Sequence, residues 1–258
     1  MLYPGTAGLA LTERCGQLGP HENRPRRMTV IAIIPAWNEA GAIGPTIARL
    51  PREVVDQVIV VDGGSSDDTP AEAERAGAEV IVQTRRGYGA ACAEGAARAE
   101  QRGAEVLLFL DGDGADAGEL AAWLIDPVRN GTADFAIANR ADREKGSMLW
   151  HQVLAGLLIG RVVGWTTGVR YRDMAAFRAL RPATLQRLEM RQMTYGWNLE
   201  MQMRAAACGL RIVQVDMPYR RRIAGRSKVA GNFVGTLRAS ARILGTLVSI
   251  ARELRTRR

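Results

Sequence analysis

Four apolar runs, each stopping at a loop built of glycine, carboxylate or proline, limit what this chain can become. VIAIIPAWNE, VDQVIVVDGG, AEVIVQ and AEVLLFLDGDGAD begin at Val30, at Val55, at Ala78 and at Ala104. Helical stretches fall between them: one around Ile43 to Leu50, one from Pro70 to Ala76 with Ser65, Ser66 and Asp67 as capping and turn groups, and RRGYGAACAEGAARA. Strand and helix alternating at such short intervals predict an α/β fold with a mostly parallel central sheet flanked by helices. Ligands of such sheets bind outside the carboxyl edge of the strands. Pro35 has no N–H for a ladder, so the first strand is expected to leave the sheet there.

The fourth run ends on Asp111 and Asp113, separated by one glycine. Two carboxylates at the end of a buried strand suit a hard divalent cation, Mg²⁺ or Mn²⁺, which in turn suits a diphosphate. An acidic, Gly-rich turn is the plainer alternative. A softer site is not available, because Cys15, Cys92 and Cys208 have no metal-ligand spacing and the histidines are only His21 and His151. The odd cysteine count also argues for a reducing, cytoplasmic setting. Asp62, followed by Gly63 and Gly64, lies at the same expected edge as a base or ribose contact, or as an ordinary strand exit. Arg85 to Gly89 reads either as a basic loop near donor phosphate, with Arg86 in it, or as a solvated helix start; no G-x-G-x-x-G or Walker sequence is present.

The net charge of +8 calls for an anionic partner without choosing one. Basic residues crowd the last forty positions, where Arg220, Arg221, Arg222, Arg226 and Lys228 form one cluster and the final arginines a tail. Exposed aromatics do not interleave with these charges, so nucleic-acid association is expected to be weak, salt-dependent and non-specific. Residues 1–27 lack periodicity and a signal-peptide layout, and a disordered extension is expected there. A catalytic domain is expected over 28–232, with 233–258 a basic helical tail that packs on the core or touches a membrane surface. The segments Leu149 to Trp165 and Phe233 to Ala251 are apolar but interrupted by Arg161, Arg238 and Arg242. Neither forms an ordinary spanning helix, and each suits core packing or a bilayer surface.

Taken in order, IIPAWNE, VVDGGSSDDT, RRGYGAA, FLDGDGAD, DMAAFRALR and PYRRRIAGRSKV resemble the motif series of the family 2 glycosyltransferases, in particular the dolichyl- and polyprenyl-phosphate sugar synthases. The likeness runs from Val30 to about Thr236, with Ala176 where the family pattern usually has glycine. It implies a GT-A nucleotide-diphospho-sugar transferase fold and inverting transfer from a nucleoside-diphosphate sugar to a polyprenyl phosphate or related lipid acceptor. By the same resemblance, Pro35, Ala36, Glu39 and Asp62 line the nucleoside pocket, and Asp111 and Asp113 manage metal and diphosphate. Arg140 of IANR stands at the family's G-S-R arginine, after Asn139 as a departure, and Arg222, Arg226, Ser227 and Lys228 meet phosphate.

Acceptor chemistry divides on one proton. A sugar hydroxyl needs a carboxylate base, whereas a lipid phosphate is already anionic. Glu200, near the start of an expected helix, is the candidate base, with helix capping or a surface ion pair as its alternative. Asp173 is either an acceptor-side carboxylate or a fixer of its own loop. UDP-glucose is the first donor expected, with GDP-mannose its competitor. Two alternative functions are transfer to a hydroxyl and nucleotide-sugar binding without turnover. A peripheral position on the inner face of the cytoplasmic membrane fits a lipid-borne acceptor, and a homo-oligomer is compatible with everything above.

Overall fold

The computed structural model describes residues 28–147 and 150–225, together with Gly245, Leu247, Ser249 and Ile250. The expected extension over 1–27, the domain end at 232, and Arg226, Ser227 and Lys228 lie outside the described residues.

Among the described residues seven strands form one sheet: β1 (Val30–Ala36), β2 (Gln57–Asp62), β3 (Glu79–Val82), β4 (Val106–Phe109), β5 (Phe135–Arg143), β6 (Arg178–Leu180) and β7 (Ile212–Tyr219). Their spatial order is β3-β2-β1-β4-β6-β5-β7. Every pairing is parallel except those of β6, which runs antiparallel to both β4 and β5. The expected parallel sheet is therefore present, with one reversed strand that the sequence reading did not foresee. Only three residues long, β6 gives almost no periodic signal.

Side-chain alternation explains the layering. Ile31 and Ile33 of β1 enter one apolar cluster, and Val30, Ala32 and Ile34 enter the other. The first layer is covered by α3 (Tyr88–Gln101), α5 (Trp150–Thr167), α6 (Pro182–Arg187) and α7 (Trp197–Ala207); the second is covered by α1 (Ala40–Ala48), α2 (Thr69–Arg75) and α4 (Ala122–Arg129). Leu247 and Ile250 are buried and join the first layer.

Pro35 does not end β1. The strand continues to Ala36, with Pro35 and Ala36 in register with Val61 and Asp62 of β2, while its last partner on β4 is at Ile33. Ile33 O accepts from Leu110 N and Ala36 O from Gly63 N, so the strand's bonds go to both neighbours. Pro35 therefore turns its missing donor toward the β4 side, beyond the last rung there, and the ladder loses no bond.

Candidate active site

The exits of β1, β2 and β4 sit side by side at one sheet edge, and the N-terminus of α3 closes the gap between them. The resulting cleft has a volume of about 720 Å³. Pro35, Ala36 and Glu39 line it from β1, Gly63 and Gly64 from β2, Arg86 and Tyr88 from the start of α3, Asp111 and Asp113 from β4, and Arg222 from the segment after β7. Close backbone approach builds the α3 side. A Cβ on Gly87 would lie 2.2 Å from Met193 O and one on Gly89 2.3 Å from Gln192 O, so only glycine lets the 192–193 loop reach this helix start. Ala90 N donates to Met193 O at 2.9 Å and locks the two together.

Asp111 and Asp113 lie on the cleft wall. Tyr88 Oη donates to Asp111 Oδ1 at 3.1 Å, Ala115 N donates to Asp113 Oδ1 at 2.9 Å, and Arg222 Nη2 is 2.8 Å from Asp113 Oδ2. The second nitrogen, Arg222 Nη1, meets Glu39 Oε1 at 3.3 Å, so one guanidinium bridges two acidic walls of the cleft. The arginine is placed by pairing of 219–223 along the DGDGAD loop: Ile223 N donates to Asp113 O, Arg220 N to Ala115 O, and Asp116 bridges Tyr219.

Burial, and then the charge of Asp113, push the Asp111 carboxyl above the usual carboxylate range, against the Tyr88 hydrogen bond and the charges of Arg140 and Arg222. Asp116 is pushed up by burial and by both neighbouring aspartates. Added positive charge is what these crowded carboxylates lack. No cluster of three or more His, Cys, Asp or Glu able to hold a metal is found among the described residues. The donor set nevertheless suits a hard cation that takes two carboxylates from the protein and fills its sphere with phosphate oxygens and water, as Mg²⁺ commonly does.

The other expected site residues divide. Asp62 is buried and turns inward: its oxygens accept from Gly64 N at 3.0 Å, Ser65 N at 3.0 Å and Ser65 Oγ at 2.5 Å. It shapes the β2 exit, which is the strand-exit alternative, and does not line the cleft. Arg140 and Asp173 face each other in a two-bond fork, Nε to Oδ2 and Nη2 to Oδ1 both at 2.6 Å, and Arg140 stacks 4.8 Å from the Tyr219 ring centre. Burial raises the Asp173 carboxyl, but Arg140's hydrogen bonds and charge outweigh it, and Met174 N adds a bond at 2.7 Å, so the group stays charged to low pH. With both oxygens engaged, Asp173 holds Arg140 and its own loop and is not placed as an acceptor-side base.

Glu200 needs the same correction. Its side chain is 1 % exposed. Oε1 accepts from Arg204 Nε at 2.8 Å, and Oε2 accepts from Arg191 N at 2.8 Å and Gln192 N at 2.6 Å. It fastens the 191–193 loop to α7 and so supports the α3 start from behind, and it does not line the cleft.

Several cleft residues were absent from the sequence expectations. Trp37 and Asn38 flank the β1 exit, Gln83 follows β3, and Tyr195 and Asn198 cover the side near α7. The first pair stood in the AWNE motif, and an aromatic and an amide close to Gly196 were the available signal for the last pair. Tyr88, within the Arg85 to Gly89 segment but given no site role of its own there, is the hydroxyl on Asp111.

Comparison with known proteins identifies the family and the fold. The family model "Glycosyl transferase family 2" matches residues 31–180. An uncharacterized glycosyltransferase of Mycobacterium tuberculosis is 34% identical over 214 residues, covering 81% of this chain and 93% of the relative. The undecaprenyl-phosphate mannosyltransferase of Micrococcus luteus is 33% identical, over 81% of this chain and 90% of its own length. The polyprenol monophosphomannose synthase of Mycolicibacterium smegmatis is 28% identical, over 83% and 85%. Among solved structures, glucosyl-3-phosphoglycerate synthase from Mycobacterium tuberculosis in complex with Mn²⁺, uridine diphosphate and glucosyl-3-phosphoglycerate superposes with a TM-score of 0.68 at 21% identity, over 86% of this chain and 79% of that one. The fold is therefore GT-A, and the chain belongs to glycosyltransferase family 2.

Proposed function

We propose that the protein transfers a hexosyl group from a nucleoside-diphosphate sugar to a lipid phosphate of the polyprenyl type, with inversion at the anomeric carbon. The observation that carries the choice of acceptor is the state of the carboxylates. Glu200 and Asp173 are held by internal partners, Glu39 and Asp113 both meet Arg222, and Asp111 accepts from Tyr88. A hydroxyl nucleophile would require a base from this set; a phosphate oxygen requires none. Relatives named for transfer to undecaprenyl phosphate and for polyprenol monophosphomannose synthesis support the same acceptor class.

In this reading the cleft side of Ala36, Trp37 and Gly63 receives the nucleoside, and Asp111 and Asp113 hold Mg²⁺ or Mn²⁺. When bound, that cation supplies charge stabilisation to the departing diphosphate. Arg222 and Arg86 face the same oxygens, a guanidinium offering a planar fork to phosphate. The acceptor oxygen bonds to the anomeric carbon as the bond from that carbon to the diphosphate breaks, and a single displacement inverts the centre. Both of these relatives are named for mannose, so a mannosyl donor ranks ahead of the UDP-glucose expected from the sequence. Incubation with GDP-mannose and with UDP-glucose, each offered a polyprenyl phosphate and a polyprenol or sugar hydroxyl, is expected to give product with the phosphate alone. Transfer only to hydroxyls, or nucleotide binding without product, would overturn the proposal.

A further inference from the structure

Arg178 of the DMAAFRALR segment is fully buried at the centre of the sheet, on β6 in register with Phe109 of β4 and Ile137 of β5. Phe109 and Ile137 enter the first apolar layer, so the arginine side chain rises on that same face, under α3 and α7. Asp111 follows Phe109 by two positions. The partners of Arg178 are all neutral. Nε donates to Ala176 O at 3.1 Å, Nη2 to Ala175 O, and Nη1 to Asn198 O at 3.3 Å, with Met201 Sδ at 3.6 Å and the Phe135 ring centre at 5.9 Å. No ion pair of Arg178 is found among the described residues. A buried cation without a counter-ion is costly, and packing alone would be served by a neutral side chain. What a neutral side chain lacks is a planar fork that gathers three carbonyls from two segments.

Those segments carry the inner wall of the cleft. Ala175 and Ala176 follow Asp173, the partner of Arg140, and Asn198 stands in the first turn of α7 and lines the cleft. Further along, α7 is held without Arg178: Tyr171 Oη donates to Gln202 O at 2.9 Å, Gln202 Nε2 donates to Asp173 O at 2.7 Å, and Glu200 accepts from the amides of Arg191 and Gln192. Loss of the fork would therefore free the first turn of α7 and leave the rest attached. The Asn198 side chain is a hydrogen-bond partner of the Tyr88 hydroxyl, which itself donates to Asp111 Oδ1 at 3.1 Å. A phenol has one proton to give, so the Asn198 amide is the donor on its other side. The contacts run in order from Arg178 to Asn198, to Tyr88, to Asp111.

We propose that Arg178 is a positioning residue for the metal-side carboxylate, holding the first turn of α7 so that Asn198 and Tyr88 fix Asp111 Oδ1. This rests on Asp111 and Asp113 as the metal ligands of the function proposed above. The charge of Arg178 alone would act the other way, because a guanidinium beneath the cleft floor repels an incoming cation. A role through charge thus predicts tighter Mn²⁺ binding when the residue is neutralised, and a role through position predicts looser binding.

Mn²⁺ binding is measured by calorimetry at saturating GDP or UDP, with no acceptor present, on the full-length wild type and on Arg178→Lys, Arg178→Met, Asn198→Ala and Tyr88→Phe. In the Arg178 and Asn198 variants the dissociation constant for Mn²⁺ is expected to rise about three- to tenfold, less than in Tyr88→Phe, through which they act. Nucleotide binding without metal should not change, which a general loosening of the fold would not spare. Added to Tyr88→Phe, Asn198→Ala or Arg178→Lys should have little further effect, since the hydroxyl they position is already gone. If Arg178→Met does not fold, Arg178→Lys and Asn198→Ala, the second of which leaves the buried fork intact, carry the test. Unchanged or tighter Mn²⁺ binding in either of these two, or full additivity with Tyr88→Phe, would overturn this proposal and leave the metal site standing. A wild type that binds no Mn²⁺ would overturn the metal reading and this proposal together.

Discussion

At the scale of single residues, the cleft is a problem in crowded negative charge. Asp111 and Asp113 each have one oxygen fixed by a neighbour, Tyr88 or the Ala115 amide, and Arg222 covers another. Asp111→Ala or Asp113→Ala should leave the fold intact, or slightly steadier, while steady-state turnover falls by roughly 10² or more, since stabilisation of the leaving charge is lost; near-normal turnover in both would remove these residues from the metal site. Tyr88→Phe deletes one hydrogen bond to a charged group. Such bonds contribute about 1.5–3 kcal/mol, so turnover at limiting Mn²⁺ should fall roughly tenfold or more and recover in part at high Mn²⁺. A metal titration of wild type and variant measures this. Asp111 and Asp113 were legible in the sequence because an apolar run announced the strand that ends on them. Tyr88 was not, because its reach to Asp111 depends on how closely α3 approaches β4, and no local pattern encodes that distance.

Elements carry the next set of consequences, chiefly α7 and the segment before β6. Glu200→Gln removes the charge facing Arg204 in a buried pair, and such losses cost about 3–5 kcal/mol. The expected outcome is a lower melting temperature, with the basic limb of the pH–rate profile unchanged in the protein that remains folded. A drop of roughly 10² in kcat with unaltered melting would restore Glu200 as a base. Asp173→Asn leaves Arg140 uncompensated and should destabilise by a similar amount near neutral pH. The sign with pH follows from a depressed carboxyl: the wild-type advantage is complete above the unfolded value near about 4 and disappears as pH falls through the lower folded value. Melting curves of both proteins from neutral pH downward should therefore converge in acid. Sequence patterns located α7 and the D-M-A-A-F-R segment, but not the direction of their carboxylates. A glutamate in the first turn of a helix looks the same whether it points to a cleft or to backbone amides of the preceding loop.

For the whole molecule, the alternating runs were enough to foresee the parallel half of the sheet, β3-β2-β1-β4, since each strand there is followed by a helix. The half containing β6, β5 and β7 was less legible. Its first strand in space, β6, is short and reversed, and its pairings join positions far apart in the chain. If the cleft binds nucleotide and cation together, UDP or GDP with Mn²⁺ should raise the melting temperature more than either component alone, and chelation should cancel the gain. At a concentration of about a hundred dissociation constants the stabilisation is about 2.7 kcal/mol. A rise that ignores chelator would separate nucleotide binding from the metal.

Arg222 reaches Glu39 across 183 positions of sequence and closes on Asp113 from the same guanidinium. During synthesis, the segments that carry both carboxylates leave the ribosome long before this arginine does, because domains are made and folded from the N-terminus. Glu39 and Asp113 therefore lack the countercharge of Arg222 until the residues after β7 are made, so this wall of the cleft can close only when the whole domain is present.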